Sequence, residues 1–248
     1  MCGRYTLTRV EDLAGRFGVL GETPPLAPSF NIAPASAVAA VGADAEGNRR
    51  LRKLRWGLVP HWADDPGIGQ RMINARAESV GQKPAFKGAL QRRRCLIPAD
   101  GFYEWRRPGE GESGPKQPYY ISLADGSPYA FAGLWESWES PEGEKIQSTT
   151  IITTGANELV AQIHHRMPVI LPPASYDAWL DPRTRDPQEV LPLLAPYPAE
   201  EMQAHPVSTH VNRPANDDES CVAPVADRGG SGAKKNWKSR GSLYVTPG

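Results

Sequence analysis

Turn-forming residues constrain this chain more than any other feature. Its 248 residues include 25 prolines and 24 glycines. Proline removes a backbone donor and glycine weakens regular structure, so these residues interrupt helices and strands wherever they occur. We therefore expect short elements joined by many turns, with few long helices.

Four segments have the composition of β-strands. The clearest is 148–154, where Thr149 to Thr154 are all Thr or Ile. β-Branched and aromatic side chains pack well on a pleated surface, so these segments are predicted as strands. The four predicted strands are 51–59, 118–123, 129–135 and 148–154.

Helical spacing is weaker. Apolar residues in 9–17 recur at helical intervals, with Thr8 as the expected N-cap and Glu11 completing a capping box. Segments 157–163 and 174–180 are two further short helix candidates. The mixture predicts an α+β fold, a single compact domain over residues 1–227 with a strand-rich, barrel-like core flanked by short helices. Residues 228–248, rich in Gly and Lys, are predicted to be a disordered basic tail.

Charge and cysteine content limit the function classes. Lys plus Arg and Asp plus Glu each total 28, so DNA binding would require a local basic surface. The three cysteines are far apart and odd in number, which argues against disulfides or a zinc site, and we expect free thiols, no metal and no cofactor. No apolar run is long enough to span a bilayer and the first residues lack a signal peptide, so we expect a cytoplasmic protein without membrane contact.

Cys2 is the first residue with distinctive chemistry. If Met1 is removed, Cys2 carries an amine with a pKa near ~8 beside a thiol with a pKa near ~8.5. Such an aminothiol suits amide cleavage, with the thiol as nucleophile, or capture of an aldehyde as a thiazolidine ring. On position alone, a small buried cysteine in a first strand is the more common arrangement.

Three further clusters carry polar side chains that suit catalysis or binding. Asn74 offers an amide and Arg76 a guanidinium that can bind phosphate, although a polar helix start is the better explanation of this cluster taken alone. Glu104 lies between large aromatics, where desolvation would raise its pKa; the alternative is a strand with Phe102 and Glu104 facing solvent. His164 could shuttle a proton, although a histidine at a helix end is the better explanation of this residue taken alone. The basic run 92–94 could belong to a basic groove or form a solvated turn, and we prefer the turn.

Together, seven segments resemble the SOS response-associated peptidase (SRAP) family of abasic-site processing proteins. They keep that family's order over roughly the first 210 residues. The matching segments are 1–4, 30–34, 56–60, 73–78, 99–105, 163–168 and 205–208.

The resemblance implies a covalent DNA-binding function. Cys2 would form a thiazolidine with the ring-opened sugar of an abasic site in single-stranded DNA, and Asn74 would orient its amine. Glu104 would handle protons in Schiff-base formation and in removal of residues preceding Cys2, an autocatalytic peptidase activity. His164 would assist ring opening.

The same resemblance implies DNA contacts. Arg4, Arg76 and Arg166 would hold phosphates, and four residues would shape the DNA path. We expect a monomer with single-stranded DNA as its partner, located on the nucleoid when bound to DNA. The four path residues are Asn31, Pro34, Trp105 and Thr153.

Three alternatives remain open from the sequence. The first is an N-terminal nucleophile amidohydrolase such as a glutamine amidotransferase, which also begins Met-Cys-Gly, and the second is a peptidase that acts on other proteins. The third is a non-covalent reader of modified DNA bases. Ammonia release, or DNA binding that survives loss of Cys2, would identify the first or the third.

Overall fold

The computed structural model describes residues 2–109 and 113–227, so the expected tail lies outside the described residues. The described part contains thirteen strands, five short α-helices and several 3₁₀ turns. The strands are β1 (Tyr5–Leu7), β2 (Ser29–Ile32), β3 (Ala37–Ala43), β4 (Arg49–Trp56), β5 (Asn74–Arg76), β6 (Arg94–Ala99), β7 (Gly101–Arg106), β8 (Gln117–Leu123), β9 (Tyr129–Glu139), β10 (Lys145–Gly155), β11 (Arg166–Pro168), β12 (Ile170–Leu171) and β13 (Met202–Pro206). The helices are α1 (Leu13–Arg16), α2 (Pro84–Arg92), α3 (Glu158–Ala161), α4 (Tyr176–Leu180) and α5 (Pro187–Val190).

Five strands close into a barrel. The order β10-β4-β3-β6-β9 returns to β10, because β9 pairs with β10 along most of its length. The closing pair β4–β10 is parallel, with Ser148 opposite Arg55, and the other pairs are antiparallel. Closure removes the exposed edges of an open sheet, and the predicted α+β fold with a barrel-like core is confirmed.

A second sheet places the start of the chain against this barrel. Its order is β13-β8-β7-β1-β2, all antiparallel. Tyr5 on β1 pairs with Phe102 on β7, and both rings pack edge-on against Phe131 of the barrel. Because β1 and β7 run antiparallel, the residues before Tyr5 continue along β7 toward Glu104.

The four strand predictions are confirmed as β4, β8, β9 and β10, and the two short helix predictions correspond to α3 and α4. The prediction of a helix over 9–17 was wrong at its start, since α1 begins at Leu13. Thr8 does not cap it, because its backbone N and Oγ1 donate to Asp100 Oδ2 at 2.5 and 2.7 Å.

Two interpretations of polar segments were also wrong. Asn74 does not start a helix; it begins β5, which lies parallel to β10 with Asn74 opposite Ile151. The basic run 92–94 is not a solvated turn, because the Arg94 side chain is buried. Its guanidinium donates to the backbone carbonyls of Leu90, Trp179, Asp181 and Thr184.

Among the residues that the structure describes, no helix has both the length and the apolar character needed to cross a bilayer.

Candidate active site at the start of the chain

Cys2 is completely buried and held through its backbone. The side-chain amide of Asn74 donates from Nδ2 to the Cys2 carbonyl at 2.7 Å, and Tyr103 N donates to the Arg4 carbonyl at 3.0 Å. Burial raises the pKa of the Cys2 thiol, and the negative charge of Glu104 raises it further. The thiol is therefore protonated at neutral pH. Met1, whose removal we expect, lies outside the described residues.

Glu104 lies on β7 and is 3% exposed. Phe102, two residues earlier on the same face, packs on the barrel core, so the prediction of a solvent-facing Phe102 and Glu104 was wrong. Burial raises the pKa of Glu104 to about 7, although the positive charge of the chain's amino terminus acts in the opposite direction. A carboxyl that titrates near neutral pH can both give and accept protons under physiological conditions.

His164 follows α3 and approaches the same carboxyl. Its Nδ1 lies 3.9 Å from Glu104 Oε1. The ring is held by the backbone of Arg166, whose N and O each lie 3.1 Å from Nδ1, and it packs against the His165 ring. Burial lowers the pKa of His164. The structure thus brings the four predicted catalytic residues, Cys2, Asn74, Glu104 and His164, together.

Arg4 and Asn31 form a network inside the protein. Arg4 Nη1 donates to Asn31 Oδ1 and to the Val211 carbonyl, both at 2.8 Å. Asn31 is 3% exposed, and its Nδ2 donates to the carbonyls of Val211, Arg213 and Asn216. Both side chains therefore fasten the 211–216 segment beneath β1 and β2.

Arg76, Thr153 and Arg166 lie together. Arg76 on β5 pairs with Thr153 on β10 and is exposed, whereas Thr153 is fully buried. Arg166 Nη2 donates to the Thr153 carbonyl at 2.7 Å. Its two terminal nitrogens also bind Glu78 Oε1 and Oε2 at 2.6 and 3.0 Å. Arg166, which we expected to bind a phosphate, is thus bound to the Glu78 carboxylate in this structure.

Trp105 and Pro34 are the two remaining residues expected to shape the DNA path. Trp105 is half-buried, and its Nε1 donates to Asn212 Oδ1 at 2.8 Å. Pro34 is half-buried in the turn between β2 and β3. It precedes Ala35, which has a φ of 70°. A left-handed backbone at a non-glycine residue costs roughly 1 kcal/mol or more, and such residues are common at functional loops.

Sequence reasoning missed Glu78 and the 208–221 segment. Glu78 lies two residues after Arg76 in the same motif, and the short spacing of opposite charges was the available signal. The 208–221 segment contacts Arg4, Asn31 and Trp105 through hydrogen bonds between residues far apart in sequence, and no local pattern reveals such contacts.

Comparisons with known proteins agree with one another. The family model described as SOS response associated peptidase (SRAP) matches residues 1–214. A Bacillus subtilis protein named abasic site processing protein YoqW is 46% identical over 220 residues, which are 88% of this chain and 96% of that protein. The Gallus gallus abasic site processing protein HMCES is 37% identical over 229 residues, covering 80% of this chain and 66% of that protein. A crystal structure from Bacteroides thetaiotaomicron is 26% identical with a TM-score of 0.81, covering 90% of this chain and 100% of that one.

Proposed function

This chain belongs to the SOS response-associated peptidase (SRAP) family, and on that premise we propose that it processes abasic sites in single-stranded DNA through a covalent thiazolidine link at Cys2. The observation that carries the proposal is the position of Cys2. Its carbonyl accepts a 2.7 Å hydrogen bond from Asn74, and it lies beside a buried carboxyl with a pKa of about 7. The names of the relatives support abasic-site processing.

The first step is removal of Met1. Water adds across the Met1–Cys2 peptide bond, which releases methionine and leaves a free amine on Cys2. Glu104 is suited to accept a proton from that water because its pKa lies near the working pH. This is the self-directed peptidase activity of the proposal, and it needs no second protein substrate.

The second step captures the aldehyde. The neutral amine of Cys2 adds to the aldehyde carbon of the ring-opened sugar, and loss of one water gives an imine. The thiol then adds to the same carbon, forming the C–S bond while its proton passes to nitrogen. The burial-raised pKa of the thiol suits this order, because a neutral thiol leaves the first attack to the amine. Closure is intramolecular and gains the effective concentration of an enforced neighbour.

Two groups would manage protons during capture. His164 would donate to the ring oxygen of the cyclic sugar and so release the aldehyde, while Glu104 would accept the proton that the attacking amine loses. The distance of 3.9 Å between His164 Nδ1 and Glu104 Oε1 supports a role for both groups at the same part of the substrate. Asn74 would hold the Cys2 backbone while the amine reacts.

DNA would be held mainly through its phosphates. Arg76 is exposed and available, and Arg166 would exchange Glu78 for a phosphate. Arg4 and Asn31 would support the path from below, with Pro34, Trp105 and Thr153 shaping it. Such contacts are tolerant of sequence and sensitive to salt. We propose that the protein acts as a monomer on cytoplasmic, nucleoid-associated DNA.

The test is a denaturing gel. Wild-type protein incubated with single-stranded DNA that contains one abasic site should give a complex that survives heat and SDS. Cys2→Ala should abolish it, and Cys2→Ser should leave only a Schiff base that borohydride traps. Cys95→Ala, at another buried thiol, is the matched control and should crosslink normally.

The proposal fails if wild-type protein gives no shifted band on the denaturing gel. If that protein still bound abasic DNA on a native gel, and Cys2→Ala bound it equally well, the chain would be a non-covalent reader. Release of ammonia from glutamine without crosslinking would identify an amidohydrolase.

A further inference from the structure

We propose that His210, Asp218 and Cys221 form a binding site for a divalent transition metal ion of the Zn²⁺ type, separate from the cluster around Cys2. One ligand atom from each residue lies within 4.8 Å of the other two. Imidazole, carboxylate and thiolate are the three side-chain groups that bind zinc in proteins, and three protein ligands plus water is a common arrangement. All three residues lie in one twelve-residue stretch of the chain.

The site is partly organised by hydrogen bonds. His210 Nε2 lies 3.0 Å from Asp218 Oδ2, and the other ring nitrogen lies 3.2 Å from Asn216 Nδ2. Cys221 Sγ donates to the Asn216 carbonyl at 3.3 Å. Asn216 therefore contacts two of the three prospective ligands, His210 and Cys221, as the residues around a metal site commonly do.

Small movements would complete the coordination. Ligand atoms around a tetrahedral ion lie about 3.5 Å apart when metal–ligand distances are ~2.0–2.3 Å. The Asp218 side chain is 54% exposed; its Oδ1 accepts from Ser220 N at 2.9 Å, and its Oδ2 lies 3.0 Å from His210 Nε2, so an ion would replace the contact with His210 while Cys221 stays buried. The ion would replace the thiol proton, which passes to solvent, and the thiolate would supply the bond to the metal.

The surroundings of Cys221 favour a cation. Two carboxylates, Asp217 and Asp218, lie four and three positions before Cys221 in the same segment. Asp217 is already bonded to Ser29 Oγ and Phe30 N, so Asp218 is the carboxylate that can turn to an ion. A divalent ion would offset the accumulated negative charge.

A metal here would act on the DNA path through the backbone. The segment 210–221 supplies the carbonyls that hold Arg4 and Asn31 and the amide oxygen that holds Trp105. Cross-linking both ends of this segment would restrict its opening. The metal is therefore structural, and it stabilises the native protein by an amount that grows with the logarithm of the free ion concentration above Kd.

Cobalt(II) gives a direct test, because thiolate coordination produces a charge-transfer band in the near ultraviolet. The probe is Co²⁺ added to the full chain carrying Cys2→Ala, which removes the thiol that could bind the ion together with the amine of residue 2. A saturable band should appear in this protein. It should be absent when Cys221→Ser or His210→Gln is added. Cys95→Ala should keep it. Adding Zn²⁺ should displace the band and raise Tm by about 5 °C at a large excess over Kd.

Three results would overturn the proposal. They are a Cys2→Ala protein that shows no band, a band that survives both Cys221→Ser and His210→Gln, or a Zn²⁺-induced rise in Tm that is the same in His210→Gln. His210 is partly exposed, so this variant should fold even if Cys221→Ser does not. Neither readout uses DNA, so a negative result would leave the proposed function untouched.

Discussion

His164 Nδ1 lies 3.9 Å from Glu104 Oε1, and burial shifts the two pKa values in opposite directions. The carboxyl rises to about 7 and the imidazole falls below its ordinary value. At neutral pH the imidazole is therefore mostly neutral, while the carboxyl divides between its protonated and ionised forms. Two adjacent groups whose pKa values are shifted in opposite directions can divide the roles of acid and base in the reaction.

The rate of crosslinking should depend on the ionisation of Glu104. Only the carboxylate can accept a proton from the attacking amine, so the rate should rise as pH increases through about 7. Single-turnover rates between about pH 5 and about pH 9 would measure this profile. Glu104→Gln should be slow throughout and should lack the step near pH 7, keeping only the later rise as the Cys2 amine, with a pKa of about 8, becomes neutral. A variant that kept the step would remove the base role of Glu104.

Glu104 should also reduce stability at neutral pH. Its folded pKa is raised from 4.5 to about 7, so the folded state holds a proton that the unfolded state releases. Stability therefore falls as pH rises from about 4.5 to about 7, by at most roughly 3 kcal/mol. Urea unfolding should show that Glu104→Gln gains about 2 kcal/mol more over wild type at about pH 8 than at about pH 5. Glu158→Gln, at an exposed carboxylate on α3, should gain nothing; an equal gain in both variants would contradict the prediction.

Local signals were enough to predict the strands. The run of Thr and Ile in β10 and the aromatic composition of β9 reflect side-chain fit to a pleated surface, which depends on neighbouring residues alone. Barrel closure could not be predicted in the same way. It depends on pairings such as Ser148 with Arg55, which are far apart in sequence.

The same division applies to the site. The residue types at Cys2, Asn74, Glu104 and His164 indicated their chemistry before any coordinates, through their motifs. The motif around Glu104 left two alternatives open, a desolvated carboxyl or a solvent-facing one. The first is confirmed, because Phe102 on the same face packs against the barrel. Thr8 failed as a helix cap for a related reason, since Asp100, ninety-two positions away, binds its backbone and side chain.

His164 should matter only when the sugar is cyclic. Its proposed role is to open the ring, and a substrate without a ring needs no such help. His164→Ala should slow crosslinking to an ordinary abasic site by at least about 100-fold. The same variant should crosslink at the wild-type rate to an oligonucleotide whose aldehyde cannot form a ring because it lacks the necessary hydroxyl group. Equal slowing with both substrates would contradict the role, and His165→Ala is the matched control.

Asn74 should affect reaction rate more than stability. Its hydrogen bond to the Cys2 carbonyl fixes the reacting residue, and loss of one such bond costs about 1 kcal/mol of stability. Asn74→Ala should therefore fold normally, bind abasic DNA with similar affinity and crosslink more slowly at saturating DNA. Asn48→Ala, which removes a side-chain amide from the β3–β4 turn, should change neither quantity. A loss of affinity without a change in rate would contradict this prediction.

The ion pair between Arg166 and Glu78 should compete with DNA. Arg166 binds both oxygens of Glu78, and this bond lowers the Glu78 pKa, so the carboxylate is present at all physiological pH values. If a phosphate takes its place, Arg166→Ala should reduce the slope of log K against log salt by about 0.7, the value for one contact on a single strand. Glu78→Gln should tighten DNA binding at low salt, because it removes the carboxylate that occupies the Arg166 guanidinium. The Thr153 carbonyl would still hold Arg166 Nη2 in place. Fluorescence anisotropy with Cys2→Ala protein measures both without crosslinking, and Arg183→Ala, from the exposed pair with Asp181, is the control. An unchanged slope in Arg166→Ala would mean that this guanidinium contacts protein alone.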